Sequence, residues 1–281
     1  MATIDTLRQG VLHSIYPQLY GDLYDQEQMD ERFITLAERH QEYFAAADFS
    51  LFSTAGRVEL GGNHTDHNLG RVIAAAVNLD TIAAVTPTDN NAVIFNSEGY
   101  EPITVDLDTL EPIAEEQEST AALIRGIAAG FVQRNLEVGG FQATVSSRVL
   151  KGSGLSSSAS IEVLVATIFN TLYNGDFLPL VELAKIGQFS ENTYFGKPSG
   201  LMDQLACAHG GIITIDFADD ENPEIQEVAT SFLEYGYHLV VVDTKGDHAN
   251  LTTEYAAIPF EMRQVANYFE AEQLREVDPE E

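Results

Sequence analysis

Lys151-Gly152-Ser153-Gly154-Leu155-Ser156-Ser157-Ser158-Ala159-Ser160 sets two glycines and a run of serines directly ahead of Ile161, Leu164, Val165, Ile168 and Leu172, which recur at helical spacing. Glycines at 152 and 154 admit backbone conformations that a Cβ would block. Successive amide groups can then turn into one concavity at a helix N-terminus, where the helix dipole also favours an anion. The apolar residues behind give that helix a buried face. A single glycine turn with a serine cap would be the simpler reading, but four serines around one turn exceed what a cap requires. The segment is not a Walker A loop, because its lysine precedes the glycines. It reads as a phosphate cradle.

The rest of the composition narrows what such a cradle serves. The chain has 281 residues, 44% of them hydrophobic, enough for a large core and most naturally two domains. With 44 acidic against 14 basic residues the formal charge is −30, which argues against a nucleic-acid or anionic-membrane surface. Phosphate must therefore be held by backbone amides, a few cations and a divalent metal. The single cysteine, Cys207, precludes an intramolecular disulfide and fits a reducing compartment. With no bilayer-length apolar run and no signal pattern at the N-terminus, a cytoplasmic location is expected.

Along the chain, residues 1 to about 45 predict one or two leading helices. Strands are expected at Phe49–Thr54, Ile82–Thr86, Ala92–Phe95, Phe141–Ser146, Ile212–Asp216 and His238–Val242, with Ile82–Thr86 and Ala92–Phe95 paired antiparallel across Asp89-Asn90-Asn91. Helices are expected at Ala121–Arg134, behind the serine loop, at Leu180–Glu191, at Gly200–Ala208 and at Pro259–Phe269. Strands cluster ahead of helices instead of alternating with them, so the fold class is α+β. The acidic, turn-rich stretch Phe217–Pro223 marks a boundary between residues 1–216 and 217–281.

A second stretch, Gly56-Arg57-Val58-Glu59-Leu60-Gly61-Gly62-Asn63-His64-Thr65-Asp66-His67-Asn68-Leu69-Gly70, packs hydrogen-bonding side chains between glycines. Such chemistry suits a polyhydroxylated ligand, since Asn63 and His64 donate and accept and Asp66 can accept from two hydroxyls. A polar loop that satisfies its own backbone is the competing reading. His64 and His67 are too close in sequence for the usual zinc spacing.

This stretch resembles the galactokinase signature Gly-Arg-Val-Asn-Leu-Ile-Gly-Glu-His-Thr-Asp-Tyr-Asn. The serine loop, Gly152 to Ser160, resembles the Gly-x-Gly-Leu-Ser-Ser-Ser-Ala-Ser loop of the wider GHMP kinases, and Gly200-Leu201-Met202-Asp203-Gln204 is similar to their Gly-Ile-Met-Asp-Gln. The resemblance implies a two-domain GHMP kinase fold and transfer of the γ-phosphoryl group of ATP to the anomeric hydroxyl of galactose. Asp203 would be the general base and Arg57 the cation that keeps it ionised and steadies the moving phosphoryl group. Ser158 and Glu191, the latter twelve positions before the base, would hold Mg2+. Gly152, Ser153, Gly154, Leu155, Ser156, Ser157 and Ser158 would wrap the phosphates, and Ser97 would contact the nucleotide. Asn63, His64, Thr65, Asp66, Gly200 and Tyr255 would bind the sugar.

The match is not complete. Asn63 stands where most galactokinases have glutamate, Glu59-Leu60-Gly61 replaces Asn-Leu-Ile, His67 replaces tyrosine, and Ala256-Ala257 follow Tyr255 where paired arginines are common. The glycine-rich third motif of the family does not occur within the 281 residues, which implies a second domain represented only by its opening elements. A homo-oligomer that completes the domain, a non-catalytic sugar and nucleotide sensor, and a kinase for another hexose are the alternatives these departures open.

Overall fold

The computed structural model of the chain describes residues 2–149, 152, 154–242 and 252–278, apart from the side chains of residues 252–256. Three helices lead: α1 (Ile4–Arg8), α2 (Tyr16–Tyr20) and α3 (Gln26–Phe44). Asp25 starts α3 by accepting the Gln28 amide at 3.0 Å, and Ala45 ends it in the left-handed region. Met29, Phe33, Leu36, Ala37 and His40 recur at three- and four-residue spacing and form its buried face.

A seven-stranded mixed sheet follows, with β2 (Arg71–Pro87) as its spine. One side of β2 pairs antiparallel with β1 (Ser50–Gly61) along most of its length. The other side pairs with β5 (Phe141–Ser147) over Thr81–Pro87 and with β6 (Ile212–Asp216) over Arg71–Ala75. Outside β5 come β3 (Ala92–Ser97), parallel to it, and β4 (Ile103–Asp106); outside β6 comes β7 (Glu224–Glu227). The expected antiparallel pair of Ile82–Thr86 with Ala92–Phe95 is therefore corrected: β5 lies between them, and the Thr88 amide donates to the carbonyl of Gly140, just before β5, instead. The short turn passes over one intervening strand, two spacings of the sheet, rather than folding a hairpin.

Strand alternation assigns the layers. Ala83 and Val85 of β2 face α4 (Thr120–Gln133), α5 (Ser157–Asn174) and α6 (Leu180–Ser190), where Phe131, Phe141 and Phe169 are fully buried. Ile82 and Ala84 face the leading helices beside Tyr16, Phe33 and Phe49. Each large side chain so buried contributes about 1.5–3 kcal/mol, enough to pin α5, and with it the loop that precedes α5, to the sheet. A third apolar cluster joins Val72, Ala74, Ile213 and Ile215 to Met202 and Leu205 of α7 (Met202–His209).

Two further expectations are corrected. His238–Val242 forms no strand: Val240 and Val242 are about three-quarters exposed, at 75% and 74%, and among the described residues no strand lies beside them. Helix α8 (Thr252–Tyr268) begins earlier than Pro259, which lies inside it and removes one backbone donor without ending the helix. No helix among the described residues is long and apolar enough to cross a membrane.

Candidate active site

Strand β1 delivers the first catalytic candidate. Its pairing with β2 slips between Ala55 and Arg57 and again between Glu59 and Gly61. Such irregularities re-aim side chains. Gly56, inside the first slip, is closely packed: a Cβ there would lie 3.0 Å from both the Leu155 carbonyl oxygen and Val149, and the neighbours would have to give way. The Arg57 amide donates to that same Leu155 carbonyl at 3.1 Å. The serine loop thus rests on β1, anchored by the buried Leu155 side chain.

Arg57 uses its whole guanidinium. Nε and Nη2 fork onto the two oxygens of Asp203 at 2.7 and 2.6 Å, while Nη1 donates to the Gly154 carbonyl at 2.7 Å. The fork fixes the carboxylate plane and the third contact ties it to the loop. Asp203 stands in the first turn of α7 and also accepts from Ser156 Oγ. Burial opposes its charged form, yet Arg57, Ser156 and nearby His64 together hold the carboxyl below its usual range. It is an anion at neutral pH.

Ser156 shows how the loop departs from a simple cap. It occupies the N-cap of α5 in the left-handed region, φ 57°, and its side chain does not cap the helix. The hydroxyl turns to Asp203 instead, leaving the amides of the first turn of α5 to an incoming anion. A non-glycine residue held in this conformation is local strain of the kind found at functional sites.

Below the loop, Glu191 begins a single π-helical turn, Glu191–Phe195, at the end of α6. Ser158 Oγ donates to its Oε1 at 2.9 Å and Lys197 Nζ to the same oxygen at 3.1 Å. Ser199 Oγ and Gln204 Nε2 donate to Oε2 at 2.7 and 2.9 Å. Burial disfavours the Lys197 ammonium, but Glu191, Asp203 and Glu162 hold its pKa above the ordinary lysine value. Gln204 Nε2 is shared with Glu162 Oε2 at 2.9 Å. Burial and the neighbouring Glu191 push the Glu162 carboxyl well above its usual range, favouring the neutral acid. Glu162 Oε1 and Gln204 Oε1 are buried without a hydrogen-bond partner among the described residues.

The loop Gly62–Gly70 is folded onto α7. Asp66, nearly buried, accepts the Met202 amide at 3.1 Å and so caps the helix that carries Asp203. Gly200 makes this approach possible, because a Cβ there would fall 1.9 Å from Asp66 Oδ2. Asn63 and His64 take left-handed conformations, φ 56° and 52°, and His64 is exposed on the Asp203 side. Its amide donates to Glu59 Oε1 at 2.9 Å. Thr65 Oγ1 is spent on the Gly62 carbonyl at 2.8 Å.

Of the residues expected from sequence, Arg57, Asp203, Gly154, Leu155 and Ser156 form one contact network and Ser158 with Glu191 a second. These meet at α7, where Asp203 and Gln204 are adjacent, and Asp66 and Gly200 join there through Met202. Gly152, with φ 76°, and Ser157, first residue of α5, flank the network. Ser97 ends β3 beside Val145 and its carbonyl accepts the Tyr100 amide at 3.1 Å; among the described residues it makes no hydrogen bond to Asp203 or Glu191. Ser153 and the Tyr255 side chain lie outside the described residues. Sequence reasoning missed Glu59, Glu162, Lys197, Ser199 and Gln204. Only Glu59 and Gln204 lay within the quoted motifs, Glu59 as a departure from the signature and Gln204 as the residue after the aspartate in Gly200-Leu201-Met202-Asp203-Gln204.

The match to known proteins agrees with this geometry. Residues 122–211 match the GHMP kinases N terminal domain, and residues 38–87 match the galactokinase galactose-binding signature. The chain thus contains a GHMP kinase N-terminal domain preceded by a galactokinase galactose-binding signature. It is 32% identical over 223 residues to a galactokinase of Streptomyces coelicolor, an alignment covering 79% of this chain and 57% of that one. It is 35% identical over 159 residues to a galactokinase of Clostridium tetani, covering 57% and 40%. The chain thus spans about half the length of such relatives, 57% of the first and 40% of the second. Lactococcus lactis galactokinase, solved in complex with galactose, superposes with a TM-score of 0.74 at 25% identity over 89% of this chain and 65% of that one. Mevalonate kinase of Methanococcus jannaschii shares the fold, with a TM-score of 0.58. The α+β GHMP kinase fold expected from the three motifs is thereby borne out.

Proposed function

We propose that this chain carries the catalytic half of a galactose 1-kinase, transferring the γ-phosphoryl group of ATP to the anomeric hydroxyl. The observation that carries the reading is the Arg57 fork: one guanidinium links the base candidate Asp203 to Gly154 of the phosphate loop. Asp66 and Gly200 put the sugar-type loop on the other side of the same carboxylate. Donor and acceptor would meet at Asp203.

A carboxyl held below its usual range is a weak base in the ground state. It serves by accepting a hydrogen bond from the sugar hydroxyl, orienting an oxygen lone pair toward the phosphoryl group. It takes the proton as the new P–O bond forms and the hydroxyl becomes acidic, which suits a loose phosphoryl transfer. Arg57 keeps it ionised and faces the loop, and the first-turn amides of α5 stabilise phosphate oxygens. Loop residues from Gly152 to Ser158 would enclose the phosphates, with Ser97 toward the nucleoside and Asn63, His64, Thr65 and Tyr255 toward the sugar.

The donor set fits Mg2+. Ser158 Oγ and Glu191 Oε1 are hard oxygens 2.9 Å apart, and among the described residues no group of three or more His, Cys, Asp or Glu side chains forms a closed cage. Mg2+ prefers such a partial protein shell, completed by phosphate and water. Bound there, it would neutralise phosphate charge. The division into residues 1–216 and 217–281 belongs to the same proposal, with β7 as a strand the second part lends to the first sheet. A cytoplasmic setting, where ATP and Mg2+ are at hand, is part of it too.

Formation of galactose 1-phosphate from galactose, ATP and Mg2+ tests the reading, with Asp203→Asn expected to lower kcat by roughly 100- to 10,000-fold. An Asp203→Asn rate equal to wild type would remove Asp203 as the base.

A further inference from the structure

The Glu191 carboxylate is already filled by four donors, two on each oxygen. Three are neutral and held from behind. Gln204 is fully buried and shared with Glu162; Ser199 Oγ also reaches Asn192 Oδ1 at 3.2 Å; Ser158 sits in the first turn of α5. The fourth, Lys197, is the charged one, its side chain is 35% exposed, and it lies in the connection between the π turn and α7. It can withdraw by turning about its own bonds.

The two donors on Oε1 respond differently to a metal ion. Ser158 can rotate its hydroxyl hydrogen away and present an oxygen lone pair, whereas an ammonium has no lone pair and repels a cation. A divalent ion that takes both Ser158 Oγ and Glu191 Oε1 must therefore expel Lys197.

We propose that Lys197 is the resident counter-ion of Glu191, standing on the metal's side of the carboxylate in the empty enzyme and giving way when metal and nucleotide enter, to pair with a phosphate oxygen. The inference rests on the phosphoryl-transfer reading and adds an ion exchange to it. Its consequence is linkage. Metal alone must break an ion pair and leave an ammonium without a partner, while metal with nucleotide supplies that partner, so each ligand tightens the other.

The test is binding of Mn2+, followed by its electron paramagnetic resonance signal, with and without a non-hydrolysable ATP analogue. Lys197→Met and Lys197→Gln should bind Mn2+ alone about tenfold tighter or more, because the competing charge is gone. The analogue should then improve Mn2+ affinity less than it does in wild type. Lys197→Arg, which keeps the charge, should stay close to wild type. Unchanged or weaker Mn2+ binding in both neutral variants, with circular dichroism unaltered, overturns the ion exchange alone. Failure of the analogue with Mn2+ to bind wild type overturns the phosphoryl-transfer reading, and the exchange with it.

Discussion

A single arginine holds the candidate site together. Arg57 spends three nitrogens on two partners, and lysine could reproduce the charge but not the fork. Arg57→Lys is expected to lower kcat/KM at least ~100-fold, with galactose affinity by calorimetry changed far less. The pH profile gives a second readout. Asp203 must be ionised to accept a proton, and Arg57 helps keep its pKa low, so the acidic limb of kcat/KM lies below the usual carboxylate range in wild type. Loosening the pair raises that pKa, and the limb should move to higher pH in Arg57→Lys. At the same scale, Glu59 and Asn63 exchange the residue types of the family signature. The carboxylate has moved from 63 to 59, where it still meets the His64 amide and lies 3.6 Å from the ring.

Among the elements, α7 is where the halves of the site meet. Its N-terminus is capped by Asp66 from the sugar-type loop, its first turn carries Asp203 and Gln204, and its apolar face packs on β2 and β6. The close approach depends on Gly200. Gly200→Ala places a Cβ against Asp66 Oδ2, and the loop or the helix must shift. We expect a stability loss of about 1–3 kcal/mol by urea denaturation. Galactose binding should weaken at least tenfold while nucleotide binding, which rests on α5 and β1, is retained. Equal losses for both ligands would show general unfolding rather than a broken sugar side. The element types were legible in the sequence because periodicity is a local property: α3, α4, α5 and α6 fall close to their expected places. Their neighbours were not. The turn at Asp89–Asn91 looks the same whether the next strand pairs directly or, as here, beyond β5.

For the molecule as a whole, the sheet is clad on both faces, and the leading helices bring a buried titratable group to the outer one. His40 of α3 lies with Nδ1 and Nε2 each 3.0 Å from a threonine hydroxyl, Thr144 of β5 and Thr86 of β2. Burial lowers its pKa to about 4. Between pH 6.5 and about 4 the unfolded chain therefore binds a proton at His40 that the folded protein refuses. Stability from this group is full above that window and lost as pH falls through it. The loss is on the order of 2–3 kcal/mol. Urea denaturation at pH 7 and at pH 4.5 should show a smaller drop for His40→Gln than for wild type, which separates this term from the titration of the many carboxylates. An equal drop in both proteins would mean that His40 is not the group responsible.

By itself the sequence determined the α+β class, because hydrophobic periodicity is local, and it pointed to the serine loop as a phosphate cradle; Arg57, Asp203, Ser158 and Glu191 were candidates through the resemblance to the kinase motifs. It also marked Asn63 to Asp66 as a polar loop, without showing that Asp66 would spend one oxygen on the Met202 amide. Tertiary structure decided how these pieces meet. The Arg57 fork spans 146 residues of sequence, the Ser158–Glu191 bond 33 and the Asp66–Met202 bond 136. Burial created what residue spacing does not show: a Glu162 carboxyl pushed well above its usual range, a Gln204 amide shared between two carboxyl groups, and an ammonium at Lys197 seated on the carboxylate that a metal would need. Charge in a dry interior must find a partner, and which partner it finds depends on the folded chain rather than on the neighbours in sequence.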